Sequence, residues 1–123
     1  CTSAPSSESS GVQFKQPNFI LTDNAVTSGN GNTGAVLWAD FDNDGDEDLL
    51  IVPFNLFSAT PVSPYLFRND GGNVFTPVNG GFDQAAYVSA AAADYNNDGE
   101  VDLYFSVFNS ENLLYRGGAG MTF

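Results

Sequence analysis

Two stretches decide the fold: ADFDNDGDEDLLI (Ala39–Ile51) and ADYNNDGEVDLYF (Ala93–Phe105). Laid on each other, they put oxygen-bearing side chains at alternate positions, Asp40, Asp42 and Asp44 in the first and Asp94, Asn96 and Asp98 in the second. A glycine follows, Gly45 or Gly99, and then a carboxylate three residues on, Asp48 or Asp102. This spacing suits a hard divalent cation. A tight loop turns alternate side chains inward, and glycine takes the backbone angle that other residues resist. With the main-chain carbonyl of Asp46 or Glu100, each loop can surround a Ca²⁺ ion with oxygens, whereas Mg²⁺ prefers fewer protein ligands and retained waters. The last ligand falls at position nine of the loop, not at position twelve as in an EF-hand. The residues after it, LLIV and LYFSV, are apolar and β-prone, so each loop joins two strands.

Charge points the same way. The 123 residues carry 15 acidic and three basic side chains, for a formal net charge of −12. Ten of the 15 acidic residues lie in Asp40–Asp48 and Asp94–Asp102, six of them in the first loop. Such crowding is repulsive unless a cation neutralises it; two Ca²⁺ ions bring the formal charge from −12 to −8. A solvated acidic turn has a similar composition, because Asp, Asn and Gly favour turns on their own account. Two copies in register weigh against that plainer account.

Bulk composition narrows the function classes. The chain is 42% apolar, with 11 Phe and five Tyr, enough for a packed core. Lys15, Arg68 and Arg116 are its only cations, which argues against binding nucleic acid or an anionic membrane. No apolar run approaches the ~20 residues of a transmembrane helix. With no histidine and one cysteine there is no zinc site, Cys–His dyad or Ser–His triad to expect. The paired carboxylates that glycoside hydrolysis would need lie inside the metal loops. The expectation is a protein that is not an enzyme.

Loops of this kind suit a compartment rich in calcium, which places the expected location outside the cell or at its surface. The chain opens CTSAPSSESSG, a Ser/Thr/Pro-rich stretch that reads as a tether over residues 1–11. A chain beginning with cysteine and a serine-rich spacer resembles a processed bacterial lipoprotein anchored through Cys1. An intermolecular disulfide and an arbitrary boundary are the rival accounts of that residue. Thr2, Ser3 and the serines that follow could carry O-linked sugar.

The spacing Asp40 to Asp94 is a 54-residue period. Downstream, LFRNDGGNVF (Leu66–Phe75) aligns without gaps on LYRGGAGMTF (Leu114–Phe123), and the first unit holds six extra residues within NLFSATPVSP. Each unit reads as a small-residue strand, the metal loop, an apolar strand, a turn, LFRN or LLYR, a glycine turn and a strand ending in Phe. Helical periodicity is absent. The expected organisation is the tether, a first β-repeat over 12–75 with its calcium loop at 40–48, and a second over 76–123 with its loop at 94–102. Trp38, Phe54, Phe57, Phe105 and Phe108 are expected in the core, and Arg68 and Arg116, at equivalent positions, are each expected to pair with a nearby carboxylate.

The pattern D-x-[DN]-x-D-G-x-x-D-[LI], after a small-residue strand and before L-[FY]-R, resembles the FG-GAP/VCBS repeat over roughly Gly34–Phe123. That family includes the calcium-binding blades of integrin α-subunit propellers. The resemblance implies an all-β fold of two propeller-blade-like antiparallel units. It implies calcium ligands at Asp40, Asp42, Asp44, Asp48 and the Asp46 carbonyl, and at Asp94, Asn96, Asp98, Asp102 and the Glu100 carbonyl. Asn96 lowers the charge of the second site, which should bind more weakly. Propellers close with about four to eight blades, and only two are present. The motif G-x-x-F recurs at Gly11–Phe14, Gly72–Phe75 and Gly120–Phe123, so strand edges at the two ends are expected to meet head to tail and build a filament. A structural or adhesive module of the cell surface is the leading expectation. A carbohydrate- or protein-binding module, or a non-catalytic part of a larger secreted protein, stands beside it.

Overall fold

The structure, a computed structural model, describes residues 32–54 and 61–123. The tether, Cys1, the Gly11–Phe14 motif, Phe57 and most of the six-residue insertion lie outside the described residues.

Seven strands follow the sequence pattern: β1 (Thr33–Ala39), β2 (Asp48–Pro53), β3 (Tyr65–Asn69), β4 (Phe75–Val78), β5 (Tyr87–Ala93), β6 (Asp102–Val107) and β7 (Leu113–Tyr115). No helix occurs among the described residues. The strands form two antiparallel meanders, one ordered β1-β2-β3-β4 and the other β5-β6-β7. The fold is all-β, as expected. Each acidic loop is the connection of a hairpin. Ala39 pairs with Asp48 across the mouth of the first, and Ala93 pairs with Asp102 across the mouth of the second. Even the irregularity at the far end repeats, between Thr33 and Ala35 and between Tyr87 and Ser89.

Alternation along the strands decides which residues meet. Leu37 lies opposite Leu50, and Leu50 opposite Leu66, so one face of the first sheet is a continuous apolar row. In the second sheet the row facing it is built from Ala92 opposite Leu103 and Ala90 opposite Phe105. These rows close on each other, with β1 and β2 packed against β5. Leu50, Val52, Leu66, Tyr87, Leu103 and Phe105 are buried in this shared core. Burying each large side chain contributes about 1.5–3 kcal/mol, so the two units hold each other folded. The Tyr87 hydroxyl donates to the carbonyl of Asp83 at 2.6 Å, which satisfies the one polar atom of that buried ring. Burial is the first cause holding its pKa well above the ordinary tyrosine value.

The structure corrects several expectations. Trp38 is 56% exposed and meets Phe75 edge to face, because its register places it on the face turned away from the core. Phe108 is exposed as well, while Phe105 is fully buried. Phe75 begins a strand rather than ending one. Its counterpart Phe123 belongs to no strand: Gly118 and Thr122 make an isolated bridge, and Met121 turns into the core. Gly120–Phe123 is therefore folded onto its own molecule, with Phe123 against Phe41 and Phe82.

Candidate metal centre

Both acidic loops are laced by the same hydrogen bonds, residue for residue. In the first, Asp40 accepts from the main-chain N–H of Asp44 at 3.1 Å and of Gly45 at 2.9 Å. In the second, Asp94 accepts from Asp98 at 3.1 Å and Gly99 at 2.8 Å. Asp42 and Asn96 accept from Asp44 and Asp98 respectively, and Asp44 and Asp98 accept from Asp46 and Glu100. The backbone makes this possible by turning left-handed twice in each loop, at Asn43 (φ 61°) and Gly45 (φ 97°) and at Asn97 (φ 58°) and Gly99 (φ 90°). Asn and Gly are the residues that tolerate this region. The repeated asparagines at 43 and 97 were visible in the sequence as a signal of that turn.

Asp48 and Asp102 differ from the rest, being 0% and 2% exposed. One oxygen of Asp48 accepts from the N–H of Phe41 and the other from that of Asn69, both at 2.8 Å. Asp102 accepts from Tyr95 at 3.1 Å and Gly117 at 2.8 Å. Each thus ties its loop to the strand-end of the third strand in its own sheet. Spacing alone marks these residues as ligands; their role as braces depends on Asn69 and Gly117, far away in sequence.

In the first loop Asp40, Asp42 and Asp48 each bring a carboxylate oxygen to within 4.8 Å of the others. Asp44 and Asp46 stand outside this trio. Burial is the first cause raising the pKa of both Asp42 and Asp48, and the neighbouring carboxylates raise both further. Among the described residues no Lys or Arg pairs with the trio, since Arg68 is held by Asp70 at 2.7 Å. The Asp70 carboxyl, which also accepts from Thr76, lies below the usual range through these two bonds. An all-oxygen cluster of this kind, with no ion pair to it among the described residues, fits a hard divalent cation and can hold one.

The second loop presents Asp94 and Asp102 with the Asn96 amide in place of a third carboxylate. Its Asp98 is already partnered: Arg116 donates to it at 2.9 Å, and Asn96 at 3.0 Å. The Glu100 N–H and then Arg116 hold the Asp98 carboxyl below its ordinary pKa. The loops also touch, because the Asn43 amide donates to the carbonyl of Gly99 at 3.3 Å and to the Glu100 carboxylate at 3.2 Å.

The family model of the FG-GAP-like repeat matches residues 55–105. This stretch is similar to an FG-GAP-like repeat. The matched stretch contains the second acidic loop with β3, β4, β5 and most of β6. The first loop precedes it and shares its hydrogen-bond pattern. No curated protein and no solved structure gives a significant match. An FG-GAP-like repeat suggests an integrin-like β-repeat module, and repeats of this type are typical of extracellular and surface proteins. No helix among the described residues is long and apolar enough to cross a membrane.

Proposed function

We propose that this protein is an extracellular structural or adhesive module whose β-repeats are made rigid by calcium. The observation that carries the reading is the convergence of Asp40, Asp42 and Asp48 with no Lys or Arg among the described residues ion-paired to them. Bound Ca²⁺ would cancel this repulsion and pin the hairpin mouth to the rest of the sheet; the residues to hold it are Asp40, Asp42, Asp44 and Asp48 with the Asp46 carbonyl. The equivalent set in the second loop is Asp94, Asn96, Asp98 and Asp102 with the Glu100 carbonyl, so two ions are expected. A role without catalysis follows from a donor set committed to the metal. Presentation at a cell surface suits a calcium affinity in the range of extracellular modules, about 10⁻⁴–10⁻³ M.

Native mass spectrometry in a calcium series tests this. The expected result is two ions per chain, falling to one in Asp40→Asn/Asp42→Asn. A chain that takes up no calcium at millimolar concentration would overturn the reading.

A further inference from the structure

Asn43 stands between two expected ligands of the first loop, Asp42 and Asp44, yet its side chain bonds to the other loop. One amide nitrogen donates to the Gly99 carbonyl at 3.3 Å and to the Glu100 carboxylate at 3.2 Å, across 56 and 57 positions of sequence. An asparagine amide carries two hydrogens, so it can make both bonds at once. The bond to the carboxylate is charge-assisted, the stronger kind.

What Asn43 grips is the peptide unit on which the second loop is built. The Gly99 carbonyl and the Glu100 N–H belong to one rigid plane. That N–H donates to Asp98 at 3.0 Å, and the neighbouring Gly99 N–H donates to Asp94 at 2.8 Å. Asp94 and Asp98 are expected ligands, and the Glu100 carbonyl is the next. Turning the 99–100 plane would move the N–H that aims Asp98 and swing the Glu100 carbonyl with it. Held at its oxygen from the first loop and at its nitrogen within the second, the plane cannot turn without losing a bond. Donation to the carbonyl also polarises the same peptide and makes its N–H a better donor.

We infer that Asn43 is a positioning residue for the second loop and couples the two sites, so that filling the first tightens the second, an inference that rests on the calcium reading of both loops. With Asp42 and Asp44 drawn onto an ion, the backbone of Asn43 between them is fixed, and its amide holds the 99–100 peptide in place. With the first loop empty, repulsion among its carboxylates leaves Asn43 on a looser support. Through-space charge acts the opposite way, because neutralising the first loop weakens the pull of this end of the molecule on a second cation. That effect is screened by salt, with a Debye length of about 10 Å at 0.1 M, whereas the Asn43 contacts are direct. By linkage the second site tightens the first by the same factor.

The test follows the Gly99 and Glu100 amide resonances by NMR while calcium is titrated into the full chain, which reads the second loop separately. Asp40→Asn/Asp42→Asn disables the first loop and removes two negative charges, as many as one Ca²⁺ cancels, so the field at the second loop is matched. Binding at the second loop should weaken about fivefold or more in this variant, the low end of couplings between sites. Asn43→Gly keeps the left-handed backbone (φ 61°) and deletes the amide. It should weaken the second loop by a similar factor, and adding Asp40→Asn/Asp42→Asn to it should change nothing more. That non-additivity is the coupling. Asn97→Gly, the same change one repeat on, should leave the dependence on the first loop intact, which a general loosening of the loops would not. Equal affinity of the second loop in the native chain and all three Asn43 and first-loop variants overturns the inference and leaves two-ion binding standing. So does a first-loop effect that persists undiminished in Asn43→Gly. No calcium-dependent shift at Gly99 or Glu100 overturns it together with the calcium reading of the second loop.

Discussion

At the scale of single residues, ligands and braces separate experimentally. Asp48 is buried with both oxygens engaged by main-chain N–H groups, so Asp48→Asn turns an acceptor into a donor that faces another donor. That change should cost about 1–3 kcal/mol whether or not calcium is present. Asp42 accepts one N–H bond and sits near three like charges. Asp42→Asn should therefore weaken calcium uptake at the first loop while leaving stability in EGTA unchanged or raised. Urea unfolding with and without calcium distinguishes these outcomes. Arg116 gives a third case. It already neutralises Asp98 in the second loop, and Arg116→Gln should tighten calcium there, read as a lower dissociation constant for the weaker site by calorimetry.

Among the elements, the two hairpins were legible because their signals are local: alternating apolar residues, a run of turn formers, and glycine at the strained position. The candidate ligands were legible for the same reason. What escaped the sequence is which face of a strand becomes covered. Period-two alternation groups Val36 with Trp38 and Leu37 with Ala39, but either group could have been the core. Packing against β5 chose the second and left Trp38 exposed. The end of each third strand was likewise hidden, since equivalent positions hold different residues. In the first unit Asn69 fits and its amide donates to the carbonyl of Glu47. In the second, a Cβ on Gly117 would stand 2.1 Å from the carbonyl oxygen of Val101. Gly117→Ala must push the backbone away from Asp102 and disturb the second brace. Thermal unfolding should show a clear loss for it, and for Asn69→Ala only that of its two side-chain hydrogen bonds, to the Glu47 carbonyl and from the Gly71 N–H, about 0.5–1.5 kcal/mol each.

For the whole molecule, the shared core makes the units interdependent. Phe105 is fully buried where both sheets meet, in edge-to-face contact with Tyr87, Phe82 and Tyr115. Phe105→Ala should cost about 3–5 kcal/mol and lower one common transition rather than melting the second sheet alone, as followed by circular dichroism. The acidic loops lie together at one end of this core, joined through Asn43, so an ion bound at that end would act on both hairpins. Holding the native state alone to its ligand stabilises it by about 2.7 kcal/mol at one hundred times the dissociation constant, which for a chain of this size is a shift of several degrees. The most direct measurement is the melting temperature of the full chain in EGTA and again in millimolar calcium. A rise of several degrees, abolished by Asp40→Asn/Asp42→Asn together with Asp94→Asn/Asp98→Asn, is the predicted result; identical melting curves with and without calcium would contradict the account.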